Sequence, residues 1–138
     1  MTVNAHEAVR THLERVQTCV QNMDYDGVRD LIPDDGLYFG SVAVQARGYK
    51  ELRSNQFEKV WPNISEFSIL EDSISIRAYE SVAWATCLFE SRGSDPNDLS
   101  KRRGRMPFVF ELRDNQWVMA HSHDSLFPTM PGAKPSDA

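Results

Sequence analysis

The hydrophobic period of this 138-residue chain changes near Pro62, and that change constrains its fold more than any other feature. Before Pro62, apolar residues recur every three or four positions, as they do along one face of a helix. After it, β-branched and aromatic residues cluster in short runs typical of strands. Helices followed by a run of antiparallel strands predict an α+β fold, with about three helices on the concave side of a curved sheet that closes into a cone.

The first half of the chain carries the signals of three helices. Asn4 is a suitable N-cap for the first helix, with Glu7 three residues further on. Pro33 should end the second helix, and Gly48 should begin the third. The predicted helices cover residues 5–22, a short segment from 24 or 26 to 32, and 48–61.

The strand-like runs and the turns between them complete the predicted sheet. The last two strands are joined by the dipeptide Asp114-Asn115, which favours a tight hairpin. In the first of these strands the even-numbered residues Met106 to Leu112 should face the helices. The predicted strands are 37–42, 66–79, 81–91, 105–113 and 116–126, with a polar loop at 92–104. We expect one domain over residues 1–128 and a frayed tail at 129–138.

Composition narrows the range of partners. The chain has 20 acidic and 15 basic residues, and its net charge of -5 opposes binding to a phosphate backbone. Cys19 and Cys87 do not have metal-ligand spacing, and we expect both to be reduced thiols. The N-terminus has no signal-peptide pattern and no apolar run is long enough to cross a membrane. We therefore expect a cytoplasmic protein that binds neither nucleic acid nor membrane.

The segment WVMAHSHDSLF, residues 117–127, contains the most informative polar residues. Strict strand alternation would place His121 and His123 on the same face as Trp117 and Met119, roughly 6–7 Å apart. Such a pair can line a pocket, act as an acid or base near neutral pH, or supply two metal ligands. We favour pocket lining, then catalysis, and expect no metal because the spacing nominates no third ligand. Asp124 would join the histidines only if the strand bulges.

Other residues are candidates for the wall of a pocket in the cone. Tyr38 could donate a hydrogen bond from the first strand, and Trp84 could stack on a planar ligand, although such residues more often belong to the core. Arg105 could polarise a carbonyl group of a ligand. The complete predicted lining is Tyr38, Trp84, Arg105, Phe108, Trp117, Met119 and Ser125.

Three stretches resemble the nuclear transport factor 2-like superfamily over about residues 5–128: DYDGVRDLIPDDGLYF, RGYKELR and RDNQWVMAHSHDS. The resemblance implies a cone-shaped fold shared by ketosteroid isomerase, SnoaL-like polyketide cyclases and the calcium/calmodulin-dependent kinase II association domain. The last stretch is most similar to that association domain and to the SnoaL-like branch. The resemblance to the association domain also makes the run 101–105 a candidate anion site. Asp124 stands where that domain has an arginine, and we favour a solvated loop end for the run.

The ketosteroid isomerase mechanism does not transfer to this sequence. That enzyme uses a carboxylate base, a tyrosine and a protonated aspartate. An ungapped match puts Gly40, Val16 and a position near Phe108 in these three roles. None of these side chains can move a proton or donate the required hydrogen bond, so we do not expect steroid isomerase activity.

Two functions remain open from the sequence. One is a small-molecule-binding or association module for an apolar or aromatic ligand. The other is a SnoaL-like cyclase, hydratase or isomerase that uses His121 or His123 as its acid–base group. We expect no cofactor in either case.

We also expect a homodimer through the convex sheet face, because the run SVAWATCLF supplies apolar residues to both faces.

Overall fold

The computed structural model describes residues 4–97 and 100–128 and confirms the predicted α+β class. Helix α1 spans Ala5–Asn22, as predicted, and the Asn4 side chain accepts hydrogen bonds from the backbone N–H groups of His6 and Glu7 at 2.8 and 3.4 Å. A 3-10 helix follows at Asp26–Leu31. The third helical segment, residues 48–63, combines α2 at Gly48–Leu52, a π-helical turn at Arg53–Phe57, α3 at Glu58–Val60 and a 3-10 turn at Trp61–Asn63.

Gly48 begins the third helical segment for a steric reason. Its φ angle is +73°, a left-handed conformation that residues with a Cβ rarely adopt. A Cβ atom at this position would lie 2.8 Å from the Asp34 carbonyl oxygen. The glycine therefore allows the chain to turn from the second strand directly into the helix.

Among the described residues, eight strands form one mixed, mostly antiparallel sheet in the order β2-β1-β7-β6-β5-β3, with β4 paired to β5 and β8 paired to β6. The predicted curved antiparallel sheet is confirmed, with one difference in detail: β1 runs parallel to β7. The strands are β1 Leu37–Phe39, β2 Ala46–Arg47, β3 Ile64–Ile69, β4 Ser75–Ala78, β5 Val82–Gly93, β6 Lys101–Arg113, β7 Gln116–His123 and β8 Ser125–Leu126.

Several predicted boundaries differ from the structure. A 3-10 turn at Glu71–Ser73 divides the strand predicted at 66–79 into β3 and β4. The loop predicted at 92–104 is shorter, because β5 continues to Gly93 and β6 already begins at Lys101. The run 101–105 is therefore part of a strand rather than a loop end. The predicted frayed tail at 129–138 lies outside the described residues.

The core lies between the helices and the concave face of the sheet. Phe110 on β6 is fully buried, and Met106 and Phe108 on the same face are nearly so, as their even-numbered alternation predicts. The hairpin turn is also confirmed, with φ angles of 49° and 62° at Asp114 and Asn115, values that a two-residue type I′ turn requires.

Two β-bulges interrupt the strand pairing in the part of the sheet that the structure describes. One lies in β3, between the pairs made by Ser65 and Ser68, and the other lies in β7 opposite Val109 and Phe110. A bulge bends its strand and increases the local twist, which helps the sheet curve around the core. The bulge in β7 also decides which side chains reach the interior.

Candidate functional site

A cavity of about 270 Å³ opens between the concave face of the sheet and the helices. Its wall is mostly apolar, and the polar side chains in it come from both layers. The lining residues are Val16, Val20, Val28, Ile32, Phe39, Ser41, Val42, Leu52, Gln56, Phe57, Lys59, Val60, Trp61, Asn63, Ile64, Phe67, Phe89, Ser91, Arg102, Met106, Phe108, Met119, Ser122, Asp124 and Leu126. An apolar hollow with a few polar groups is the usual form of a small-molecule site.

One additional residue in β7 determines the polar side of this cavity. On β6, Phe110 pairs with Met119, but the next residue, Val109, pairs with His121. Ala120 is thus an extra residue without a partner on β6. Because side chains alternate faces, one extra residue exchanges the two faces for the rest of the strand.

Because the two faces are exchanged, it is the even-numbered side chains of β7 after the bulge that point toward the cavity. Before Ala120, the inward residues are Trp117 and Met119, which are both buried. After it, Ser122 and Asp124 line the cavity instead. Ser122 is 6% exposed, and no described residue accepts or donates a hydrogen bond at its hydroxyl group.

Asp124 is the acidic residue in the cavity wall. Its backbone N–H donates a hydrogen bond to the Phe39 carbonyl oxygen at 2.9 Å, which fixes the chain between β7 and β8. Among the described residues, no side chain hydrogen-bonds to its carboxyl group. Part of its surface remains accessible to the cavity, yet the surrounding protein desolvates the carboxyl group and raises its pKa to about 7. Asp124 can therefore hold or release a proton near neutral pH.

The structure contradicts the predicted orientation of the two histidines. Beyond the bulge, His121 and His123 lie on the convex side of the sheet and neither lines the cavity. The Nδ1 atom of His121 is 2.7 Å from the Leu37 carbonyl oxygen, to which it donates a hydrogen bond. His123 is exposed, and its ring makes a T-shaped contact with the Phe39 ring, with the centroids 5.5 Å apart. The histidines are thus outside the pocket that they were predicted to line.

The other predicted lining residues divide between cavity, core and outer surface. Phe108 and Met119 line the cavity. Tyr38 is fully buried in the core, where its hydroxyl group donates a hydrogen bond to the Met119 carbonyl oxygen at 2.6 Å. Burial raises the pKa of this phenol above its usual range. Trp117 also belongs to the core rather than to the cavity wall.

Three predicted pocket residues lie on the convex face instead. Trp84 packs under the guanidinium group of Arg77, 5.9 Å from its ring centroid. Arg105 donates a hydrogen bond from Nε to the Ser125 hydroxyl oxygen at 3.0 Å. Trp84 is placed there by β5 alternation, because its neighbours Ala83 and Ala85 are fully buried. Ser125 is placed there by the bulge, which reverses the side on which odd-numbered residues lie.

Gln56 is a cavity residue that the sequence analysis did not identify. It lies in the π-helical turn and is 3% exposed. Its Oε1 atom accepts hydrogen bonds from the backbone N–H groups of Val42 and Ala43 at 3.0 and 2.8 Å, and its Nε2 donates to Ser41 Oγ at 3.0 Å. The Gln56 amide thus fixes the loop between β1 and β2 at the cavity mouth. π-Helical turns frequently mark functional sites, but a glutamine in a helical pattern carries no signal of one.

Two general features of the structure bear on the class of site. Among residues 4–97 and 100–128, no three His, Cys, Asp or Glu side chains are grouped so that they could hold a metal ion. None of the described helices has the length and hydropathy needed to cross a membrane. Val16, matched to the tyrosine of ketosteroid isomerase, and Phe108, near the position matched to its aspartate, are apolar parts of the cavity wall.

Solved structures with the same fold come from several bacteria. An NTF2-like protein of unknown function from Pseudomonas putida matches with a TM-score of 0.78 and 21% identity, covering 96% of this chain and 93% of that one. A protein from Xanthomonas campestris, named as a candidate calcium/calmodulin dependent protein kinase II association domain, matches with a TM-score of 0.76 and 21% identity, covering 93% and 91%. A candidate aromatic ring hydroxylase from Novosphingobium aromaticivorans matches with a TM-score of 0.70 and 17% identity, covering 88% of each chain.

These likenesses show a shared fold and leave the activity open, because the identities are low. A search among functionally curated proteins found no match. The sequence itself matches a family model described as a SnoaL-like domain over residues 9–130. This match covers most of the chain and agrees with the cone-shaped architecture. The chain therefore belongs to the SnoaL-like domain family.

Proposed function

We propose that this protein binds a small, largely apolar molecule in its cavity and that Asp124 exchanges a proton with that molecule. The observation that carries the proposal is the position of Asp124, whose carboxyl group lies in a mostly apolar wall without a hydrogen-bond partner among the described residues. A side chain whose pKa lies near the ambient pH is well suited to act as a general acid or base. Cyclases, hydratases and isomerases all require such a proton transfer.

Ser122 supports this function from the neighbouring inward position. Its hydroxyl group lines the same cavity two residues before Asp124 and can donate a hydrogen bond to an oxygen atom of the ligand. A carbonyl oxygen held there would gain charge as a proton leaves the adjacent carbon. The serine would stabilise that charge while Asp124 takes the proton.

A binding module without chemistry is the second candidate. It is favoured by the small number of ionisable groups in the wall, where Asp124 is accompanied by two basic side chains, Lys59 and Arg102. The two functions differ in whether Asp124 acts on the bound molecule. Ligand affinity and proton transfer must therefore be measured separately.

A ketone with acidic C–H bonds tests the proposal directly. We expect the protein to bind 2-tetralone and to accelerate deuterium exchange at its α-carbon in heavy water, followed by NMR, by roughly 10²-fold or more over buffer. Asp124→Asn should bind the ketone but return the exchange to the buffer rate. His123→Ala is the matched control, because His123 is adjacent in sequence but lies outside the cavity, and it should leave the exchange unchanged.

Each alternative outcome has a definite meaning. Binding without exchange in the wild-type protein would support the binding module. Exchange that persists in Asp124→Asn and disappears in His123→Ala would contradict the assigned orientation of β7. Failure to bind this ketone or any apolar compound in a calorimetric screen would contradict both functions.

We further propose that the protein forms a homodimer through the convex face of the sheet. This face carries Trp84, Leu88, Val109 and Val118, which are only partly buried within the single chain, and Val82, which is 39% exposed. A second copy would cover this apolar surface.

We also propose a cytoplasmic location, for which the support is that Cys19 and Cys87 are both free, buried thiols.

A further inference from the structure

One end of the cavity is basic, and it lies away from Asp124. Arg102 on β6 pairs with Ser91 on β5, and both side chains line the cavity. On the helical side, Lys59 and Asn63 also line the cavity, and Asn63 lies beside this end, because its carbonyl oxygen accepts a hydrogen bond from the Ser94 N–H at 3.1 Å and the next residue, Ile64, pairs with Gly93 on β5. The side-chain Nδ2 of Asn63 donates a hydrogen bond to the Lys59 carbonyl oxygen at 2.7 Å, so the two residues occupy successive turns beside the end of the sheet.

The basic side chains at this end have an acidic partner on one face of the sheet and none among the described residues on the other. On the convex face, Lys101 and Arg103 each form an ion pair with Glu90, at 3.3 and 3.6 Å. Lys59 and Arg102 line the cavity and have no ion-pair or hydrogen-bond partner for their side-chain nitrogens among the described residues. The cavity therefore has two cationic groups at its basic end that can bind an anion from outside the chain.

Strand register gives the distance between the basic end and Asp124. Arg105 pairs with Ser125, so in the same register Asp124 lies beside Met106. Arg102 is four residues from Met106 along β6, which corresponds to about 14 Å between their Cα atoms. The long arginine side chain shortens the gap, so that a ligand contacting both groups would be roughly 10 Å long.

We propose that the ligand is an elongated amphiphile with an anionic group, such as a carboxylate, at one end. Its anionic group binds Lys59 and Arg102, its apolar body fills the cavity between Phe89 and Met106, and its distal end reaches Asp124. This inference rests on the proposed function of the cavity and specifies the chemical class of its ligand. A medium-chain carboxylic acid or an aryl-substituted carboxylic acid has this shape.

Matched carboxylate and alcohol ligands test the inference. N-phenylnaphthylamine, a neutral fluorescent compound, reports occupancy of the apolar cavity and is displaced by decanoate or by decanol. We expect the protein to bind decanoate at least tenfold more tightly than decanol at neutral pH. Hexanoate should bind much more weakly than decanoate, because it is too short to extend from the basic end to Asp124.

Two double variants separate the basic end from the general charge of the protein. In Lys59→Gln/Arg102→Gln, the preference for decanoate should disappear while decanol affinity stays the same. Lys50→Gln/Arg103→Gln removes the same charge from exposed positions outside the cavity and should keep the preference. Circular dichroism would show that both variants are folded.

The failure of this inference is distinguishable from the failure of the proposed function. Equal affinity of the wild-type protein for decanoate and decanol, or a preference that survives in Lys59→Gln/Arg102→Gln, would overturn the anionic ligand and leave the apolar cavity as a binding site. If neither the fluorescent compound nor either ligand binds, the cavity is not a ligand site, and both proposals are wrong.

Discussion

Asp124 stands in an environment that favours its neutral form. Desolvation raises the pKa of its carboxyl group from 3.8 to about 7 in the folded protein. Between these two values, the folded state binds a proton that the unfolded state has released. The free energy of unfolding must then decrease as the pH rises from about 4 to about 7, and the penalty is fully present above pH 7.

Replacing Asp124 with asparagine should remove that penalty. At pH 8 we expect Asp124→Asn to raise the free energy of unfolding by an amount that cannot exceed about 4 kcal/mol, the equivalent of a three-unit pKa shift. Urea unfolding at pH 5 and pH 8 measures the effect, which should be roughly a third as large at pH 5, because only the first part of the penalty has accumulated there. Asp34→Asn removes an exposed carboxylate and should change the free energy of unfolding little at either pH. A loss of stability in Asp124→Asn at pH 8 would contradict a desolvated carboxyl group.

At the scale of the secondary-structure element, the π-helical turn is joined to the loop at the cavity mouth by Gln56. In Gln56→Leu, the backbone N–H groups of Val42 and Ala43 lose their acceptor. We expect a loss of about 1–3 kcal/mol in the free energy of unfolding, measured by urea denaturation. Gln56→Glu keeps an acceptor oxygen, and its loss in the free energy of unfolding should be smaller. Ser54 lies in the same turn but is exposed, so Ser54→Ala should change the free energy of unfolding little. Equal effects of all three changes would show that the Gln56 contacts do not stabilise the loop.

Helix α1 carries a second pH-dependent group, His12. Its ring stacks on Phe110 with the centroids 5.9 Å apart, and its buried Nδ1 has no hydrogen-bond partner within the described part of the chain. Burial lowers the pKa of His12 below 6.5, and the backbone of Trp117 and the nearby charges of Arg15 and Asp30 modify this effect. The neutral ring is therefore favoured in the folded state. Its contribution is complete above pH 6.5 and is lost as the pH falls through the lowered value.

A phenylalanine at this position should remove that contribution to acid sensitivity. We expect the melting temperature of His12→Phe to fall less than that of the wild type between pH 7 and pH 5. His6→Gln changes an exposed histidine on the same helix and should behave as the wild type does. Identical pH profiles for wild type and His12→Phe would show that His12 does not couple helix α1 to pH.

The elements differ in how much of their structure could be predicted from sequence. Helix α1 was predictable because its cap and its apolar face agree on the same boundaries. The face on which each side chain of β7 lies beyond Ala120 could not be predicted, because every residue from His121 to Ser125 is polar. Without contrast between polar and apolar positions, periodicity cannot reveal an added residue such as Ala120. The candidate histidines were therefore assigned to the wrong face, while Phe108 and Met119, which lie on regular stretches, were placed in the cavity.

At the scale of the whole molecule, the convex face should determine the oligomeric state. We expect size-exclusion chromatography with light scattering to give about twice the chain mass of 15.8 kDa at micromolar concentration. Val109→Glu places a charge on the convex face and should shift the protein to a monomer. Glu80→Gln, at an exposed position outside the central strands, should remain dimeric. A wild-type protein that is monomeric under these conditions would contradict the dimer.

The bulge in β7 directs Asp124 into the cavity, and the proposed site exists only with that orientation. The most direct measurement is a titration of the Asp124 carboxyl carbon by NMR between pH 3 and pH 9, with Asp124→Asn used to assign the signal. We expect a midpoint near 7 that shifts when an apolar ligand occupies the cavity. A midpoint near the ordinary value of 3.8, unaffected by ligand, would show that Asp124 faces bulk water and would contradict the proposed site.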